Sequence, residues 1–314
     1  MTQQASRAAL TQMLVGAAII GTNGMMVRLS HTSPTVSAFW RMFLAAIVLG
    51  LLVQFRHGWK RIPRSAWIWI AISAIAFAGD LWMWHRSILI VGPGLSTLLA
   101  NTQVFFMAVA GVLVFGERLG GRFYLGLVCA FFGLWLLLGG DWATLPASYH
   151  WGVWLGLATG ITYAFYNVGI KRAQEEVAKV HARVPVEQVL CFASAGCALL
   201  LGIAALAEGD SFAIPDAQTA IALVVLAVFG HCLGWILISR AMQSLGAGMV
   251  GLLLLLQPIV AYLLDILVFP HTPTSRQWLG LVVSLAGIFI AGLKAKSKSR
   301  LPPDAEPEAP ATGQ

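Results

Sequence analysis

From near its start to residue 292 the chain is a succession of ten apolar stretches separated by short polar breaks. A helix rises about 1.5 Å per residue, so roughly 20 apolar residues cross the hydrocarbon core, where lipid offers an open backbone no partner. The breaks predict helical spans near 8–27, 34–54, 66–88, 94–115, 122–139, 151–171, 188–207, 218–239, 246–269 and 275–292. The expected fold class is therefore an all-α polytopic membrane protein. Charged residues make up only 11% of the chain and hydrophobic ones 58%, against about a quarter charged in soluble domains, which excludes a water-soluble fold.

The net charge of +7 would point to nucleic acid if it formed a patch on a soluble domain. Here the cations sit in short loops, so they report topology and give no expectation of a nucleic-acid partner. With the N-terminus inside, sixteen of the twenty Lys and Arg fall on inner segments, among them Arg56, Lys60, Arg61, Arg64, Lys171, Arg172, Lys179 and Arg240. Only Arg28, Arg86 and Arg276 fall on outer ends, and Arg41 lies within a span. The expected location is the cell inner membrane with both termini cytoplasmic. The first stretch follows Arg7 as a secretory signal would, but nine further spans make it an uncleaved first helix. Cys129, Cys191, Cys197 and Cys232 all fall inside apolar runs without paired spacing, so they read as buried hydrophobes, with no metal or cofactor expected.

Residues 86–135 align without a gap on 240–289, and fifteen of the fifty pairs are identical. Leucine matches are cheap in such a chain, but Arg86 with Arg240, Gly92 with Gly246, Gly94 with Gly248, Gln103 with Gln257, Arg122 with Arg276, Gly126 with Gly280 and Gly133 with Gly287 are not. Five spans per copy is an odd number, so the second copy enters the membrane from the opposite side. The expected organisation is a short cytoplasmic segment (1–7), a first five-helix repeat (8–140), an inverted second repeat (151–292) and a cytoplasmic tail (293–314) rich in Pro, Ala and Glu that reads as disordered. Inverted repeats are the mark of secondary transporters.

Three segments carry a resemblance: Phe39-Trp40-Arg41, residues 101–133 and residues 252–288. Together with the repeat they make the chain, from about residue 10 to 292, resemble the EamA-type members of the drug/metabolite transporter superfamily. That resemblance implies two five-helix repeats and carriage of a small solute, in a family whose members take amino acids, nucleosides, sugar phosphates and drugs. The chain departs from the pattern at Val104, where a kinking proline is common and whose repeat partner is Pro258, and at His271, the counterpart of Glu117.

An ionisable group inside the bilayer is expensive unless paired or wet, so such groups are candidates for function. Arg41 and Asp80 lie at similar depth in the outer halves of the second and third spans, as substrate-path residues or as a structural ion pair. Asp80 is the candidate for proton coupling. Asn101 and Gln103 reach comparable depth on the fourth span. Gln257, beside Pro258, offers an amide and a freed carbonyl at the midplane, either for cargo or as interhelical glue. Tyr163 and Asn167, with Asn23, make a weaker group, and His231 is a ligand or a neutral histidine bonded to a neighbouring helix. Trp235, Trp40, Trp82 and Trp84 can stack on an amphipathic solute. His85 and Arg86 read as headgroup anchors, and Asp265 as a rim residue.

The sequence reading is a carrier, not an enzyme: a small-molecule transporter for an amino acid or related amphipathic solute, working by alternating access, exporting, and coupled to protons or a counter-solute. No GxxxxGK[ST] segment appears. The rivals are a non-transporting membrane partner or lipid-translocating subunit and, less favoured because no nucleophile or second acid stands one turn from Asp80, His85 or His231, an integral membrane enzyme.

Overall fold

A computed structural model describes residues 3–107, 109, 120–138, 142–180, 184–243, 253–254, 256–269 and 273–292. Glu117, Gly246, Gly248, His271, residues 110–119 and the tail lie outside the described residues. Among the described residues the elements are helical: α1 (Gln3–Gly21), α2 (Asn23–Leu29), α3 (Pro34–Arg56), α4 (Arg64–Val91), α5 (Pro93–Ala100), α6 (Gly121–Leu138), α7 (Ala147–Lys179), α8 (Val186–Glu208), α9 (Ala217–Val225), a π segment (Leu226–Leu233), α10 (Gly234–Met242), α11 (Leu256–Val268) and α12 (Ser275–Gly292). Six helical runs are long and apolar enough to cross a bilayer: Ala8–Leu29, Pro34–Arg56, Arg64–Val91, Ala147–Lys179, Val186–Glu208 and Ala217–Met242. Gly121–Leu136 and Leu256–Val268 are shorter apolar helices.

Helix starts follow from local chemistry. Ser33 caps α3 by accepting the Val36 N–H at 3.2 Å, with Pro34 in the first turn. Asp216 caps α9 by accepting the Thr219 N–H at 2.7 Å. Gly92, at φ 90°, turns the chain directly from α4 into Pro93 of α5. Helix α7 runs 33 residues, past the end expected near residue 171. Its extra turns carry charges that pair within the helix, Arg172 with Glu175 at 3.0 Å and Lys179 with Glu176, and such a segment is stable beyond the hydrocarbon.

Three spans are interrupted. The first breaks at Thr22, between α1 and α2. The eighth carries the π segment. The fourth breaks at Asn101 and Thr102, whose side chains donate to the carbonyls of Thr97 and Leu99 at 2.8 and 2.7 Å; side chains that capture carbonyls compete with the helical ladder. The fourth span thus interrupts without the proline it lacks, while Pro258 is flanked on both sides by helical residues, 253–254 before it and the rest of α11 after it.

The main packing partners are α3 with α8, α4 with α7, α1 with α10, α5 with α11, and α6 with α12. Each pairing joins a helix before residue 140 to one after 146. The hydrophobic cores are mixed accordingly: one combines Met42, Leu49 and Phe77 with Tyr166, Leu190 and Trp235, another Leu98 and Phe123 with Tyr262 and Leu281. In α6 and α12 the contact is antiparallel and as tight as backbone permits. A Cβ on Gly133 would lie 2.6 Å from the Gly280 carbonyl oxygen and against the Ser284 backbone; one on Gly287 would lie 2.6 Å from the Gly126 oxygen and against the Ala130 backbone. Large apolar side chains such as Ile75, Leu199, Ile221 and Val282 are exposed while Asn23, Arg41, Asp80, His85 and Gln257 are buried. That distribution suits a lipid solvent around a polar interior.

Candidate functional site

The polar interior holds a narrow cavity walled by α1, α3, α4, α5, α7, α10 and α11. Each interruption delivers a wall residue: Ile20 just before Thr22, Asn101 itself, and Trp235 just past the π segment. Of the residues singled out from sequence, Arg41, Asp80, Asn101, Tyr163, Trp235 and Gln257 line this space together. Gln103 and His231 stand behind the wall. The Gln103 carbonyl oxygen accepts from Asn167 at 2.9 Å, and His231 shares a 3.0 Å hydrogen bond with Ser194 of α8 while its ring lies 5.6 Å from that of Phe77.

Arg41 and Asp80 are 2% and 4% exposed. They face one cavity, yet no ion pair joins them: Arg41 Nε and Nη1 and Asp80 Oδ1 have no partner among protein groups. Of the two alternatives left open by the sequence, a structural ion pair or a substrate-path role, the direct pair is not formed. The guanidinium instead lies 5.8 Å from the Phe77 ring centre and 5.7 Å from that of Trp84, attracted by the ring faces. Across the space the Gln257 amide donates to the Tyr163 hydroxyl at 3.4 Å, and Asn101 Oδ1 and the Trp235 indole N–H are unpartnered. Buried polar groups in native proteins are overwhelmingly hydrogen-bonded, and an unpaired buried charge carries a penalty of several kcal/mol. Such a wall, with groups of both signs, an amide and an indole N–H unsatisfied beside four aromatic rings, offers hydrogen bonds and ring faces together.

Thr97, Thr159 and Phe77 also line the cavity, and the sequence reading missed them. Spacing was the available signal, because Thr97 precedes Asn101 by four residues and Phe77 precedes Asp80 by three, on the same helix faces. His85 corrects an expectation: it is no headgroup anchor but fully buried, bonded at 2.7 Å to Ser37 of α3. Asn23 is buried against Gly230 of the π segment.

Above the cavity the α2–α3 connection is tied to the α8–α9 connection. Arg86 donates to Glu208 at 2.7 Å and to Thr35 at 2.8 Å, and Glu208 also accepts from Thr35 and from the Trp82 indole at 2.8 Å. Ser33 donates to Asp210, and Trp40 donates to the Phe212 carbonyl at 3.1 Å. His31 meets Asp216 at 2.6 Å, and this hydrogen bond, with the Thr219 N–H, draws the exposed Asp216 carboxyl down to about 2. At the opposite end of α8, Arg240 pairs with Glu187, and Gln188 exchanges hydrogen bonds with the Lys60 backbone at 3.0 and 2.7 Å.

Residues 7–139 and 150–293 each match the EamA-like transporter family. A protein of Escherichia coli (strain K12) named "Probable amino-acid metabolite efflux pump" is 26% identical over 208 residues, covering 63% of this chain and 66% of its own length. Its namesake in Salmonella typhimurium is 28% identical over 206 residues, 63% of this chain and 66% of that one. An "Uncharacterized transporter" of Haemophilus influenzae is 24% identical over 179 residues, 54% and 55% of the two lengths. The matches thus span at most 66% of these relatives. A crystal structure superposes with a TM-score of 0.64 at 18% identity, over 93% of this chain and 99% of that chain, a likeness of fold. With six helical runs among the described residues long and apolar enough to cross a bilayer, and with the family matched over nearly the whole chain, this protein belongs to the EamA-like transporter family.

Proposed function

We propose that the chain is a secondary transporter that exports a small amphipathic metabolite, with α-amino acids the favoured class, by alternating access around the Arg41–Asp80 cavity. The carrying observation is that a buried guanidinium and a buried carboxylate, each with unpartnered atoms, face the same space without pairing. A zwitterion satisfies both at once: its carboxylate meets Arg41, its ammonium meets Asp80, and its side chain rests among Phe77, Trp84 and Trp235. The relatives named as amino-acid metabolite efflux pumps favour the same class.

Ten spans in two inverted repeats, 8–140 and 151–292, remain part of this proposal, and three observations support them. In the repeat register Gly121 falls on Ser275, and these two residues open α6 and α12. The tight contact is also reciprocal, Gly133 meeting Gly280 and Ser284 as Gly287 meets Gly126 and Ala130, as a twofold axis across the two helices requires. Swapping the halves also returns the same helix pairings, with α4–α7 exchanged for α1–α10. The distribution of basic residues supports an inner-membrane protein with cytoplasmic termini, and the ties between residues 31–40 and 208–219 support a conformation closed on the outer side.

Proteoliposomes loaded with single amino acids test the reading. Efflux of at least one, lost in both Arg41→Gln and Asp80→Asn, is the expected result; flux indifferent to both substitutions refutes the assigned site. Proton coupling through Asp80 is tested in the same vesicles, since the wild type responds to external pH and any transport left in Asp80→Asn does not.

A further inference from the structure

A second, wider cavity opens at the outer ends of the helices. It lies over the first along the same elements. Ile20 on the lower wall gives way to Arg28 on α2, Trp84 to Ile90 on α4, Thr97 to Gly92 at the head of α5, Thr159 to Tyr149 on α7, and Gln257 to Asp265 on α11. Eight residues of helix, as from Ile20 to Arg28, amount to about 12 Å, roughly the length of one amphipathic metabolite. What parts the two spaces is a layer of glycine contacts. A Cβ on Gly24 would lie 2.9 Å from the Pro93 Cβ, and one on Gly94 would lie 2.9 Å from the Tyr262 Cα. Small residues of this kind let helix backbones approach closely.

The outer cavity has its own recognition chemistry. The Arg28 guanidinium sits 4.8 Å over the face of Phe269 and, among the described residues, makes no hydrogen bond or ion pair, so its N–H edges are available. Tyr149 and Tyr262 supply aromatic walls and hydroxyls, and Gln277 an amide. Asp265 stands one turn before Phe269, where its carboxylate accepts the Gly94 N–H at 3.2 Å and so borders the glycine layer. A cation with free donors, a carboxylate and aromatic rings repeat in the open the set buried below.

We propose that this outer cavity is an exit vestibule holding a second site for the transported solute, an aromatic or similarly apolar α-amino acid whose carboxylate is gripped by Arg28 between Tyr149, Tyr262 and Phe269. The inference rests on the central-site reading, because it takes the same solute to pass from one cavity to the other through the Gly24–Pro93 and Gly94–Tyr262 layer.

Equilibrium binding of radiolabelled L-phenylalanine to the purified full chain tests it. The wild type is expected to bind two per chain, Arg28→Gln one, and Arg28→Lys two with the outer one weakened. Arg28 is exposed, and the site kept in Arg28→Gln reports that the variant is folded. In proteoliposomes, external phenylalanine should slow efflux from the wild type and lose that effect in Arg28→Gln. One site per chain, lost in Arg41→Gln and untouched in Arg28→Gln, overturns the vestibule and leaves the central site standing. No saturable binding overturns both. An anionic lipid that copurifies with the wild type and is absent from Arg28→Gln, with one phenylalanine bound by each, assigns the cavity to lipid and also overturns the proposal.

Discussion

Glu208→Gln tests the idea that the outer side is held shut by charge. Glu208 accepts from Arg86, Thr35 and Trp82 at once, with the side chains of Arg86 and Glu208 20% and 30% exposed. A glutamine keeps one acceptor for Arg86 and Trp82 but turns an amide donor toward Thr35, whose hydroxyl already accepts from Arg86. A partly exposed ion pair contributes up to about 1 kcal/mol, and a hydrogen bond forced out of register adds about 0.5–1.5 kcal/mol. The closed form therefore loses about 1.5 kcal/mol, close to a tenfold shift toward the outward-open form. The readout is the rate at which a membrane-impermeant maleimide, added outside, labels Thr97→Cys in a background with Cys129, Cys191, Cys197 and Cys232 replaced by alanine. Thr97 lines the central cavity, so opening exposes it, and the rate should rise about tenfold. Labelling that is unchanged or slower refutes the assignment of Arg86–Glu208 as an outer lock.

Three further predictions follow from single contacts. Arg41→Gln and Asp80→Asn should each leave the Tm unchanged or raise it, since each removes a buried charge that has no direct partner, while neither variant transports; a single variant that melts well below wild type refutes the account of unpaired charges. Gly133→Ala and Gly287→Ala should each destabilise by about 1–3 kcal/mol, because the added methyl meets backbone, and a variant that melts like wild type argues against a reciprocal α6–α12 contact. The Asp216 carboxyl is drawn from its ordinary 3.8 to about 2 when folded. A depressed carboxylate contributes stability that is full above its unfolded value and lost as pH falls through the folded one. Melting curves across acid pH should therefore show a component, lost as pH drops from about 4 toward 2, that Asp216→Asn lacks; identical profiles would remove the His31–Asp216 tie from the outer closure.

The sequence by itself determined that the chain is helical and lies in lipid, because a run of apolar residues long enough to cross a bilayer has one stable way to satisfy its backbone there. It also marked the chemistry of the central site, since Arg41, Asp80, Asn101, Tyr163, Trp235 and Gln257 are costly in lipid and stand out against Leu and Val. What the tertiary structure decided is which of these meet. Gln103 and His231 looked equal to the others along the chain, yet packing turned them behind the wall, and His85, read as a surface anchor, was turned fully inward onto Ser37. The fourth-span break at Asn101 and Thr102 depended on side chains taking carbonyls of their own turn, a local competition that apolar periodicity does not record. Depth along a helix is written in residue number. Rotation about it, and the partner it faces, are settled only when glycines such as Gly133 and Gly287 let two backbones come together and the remaining surfaces must fit around them.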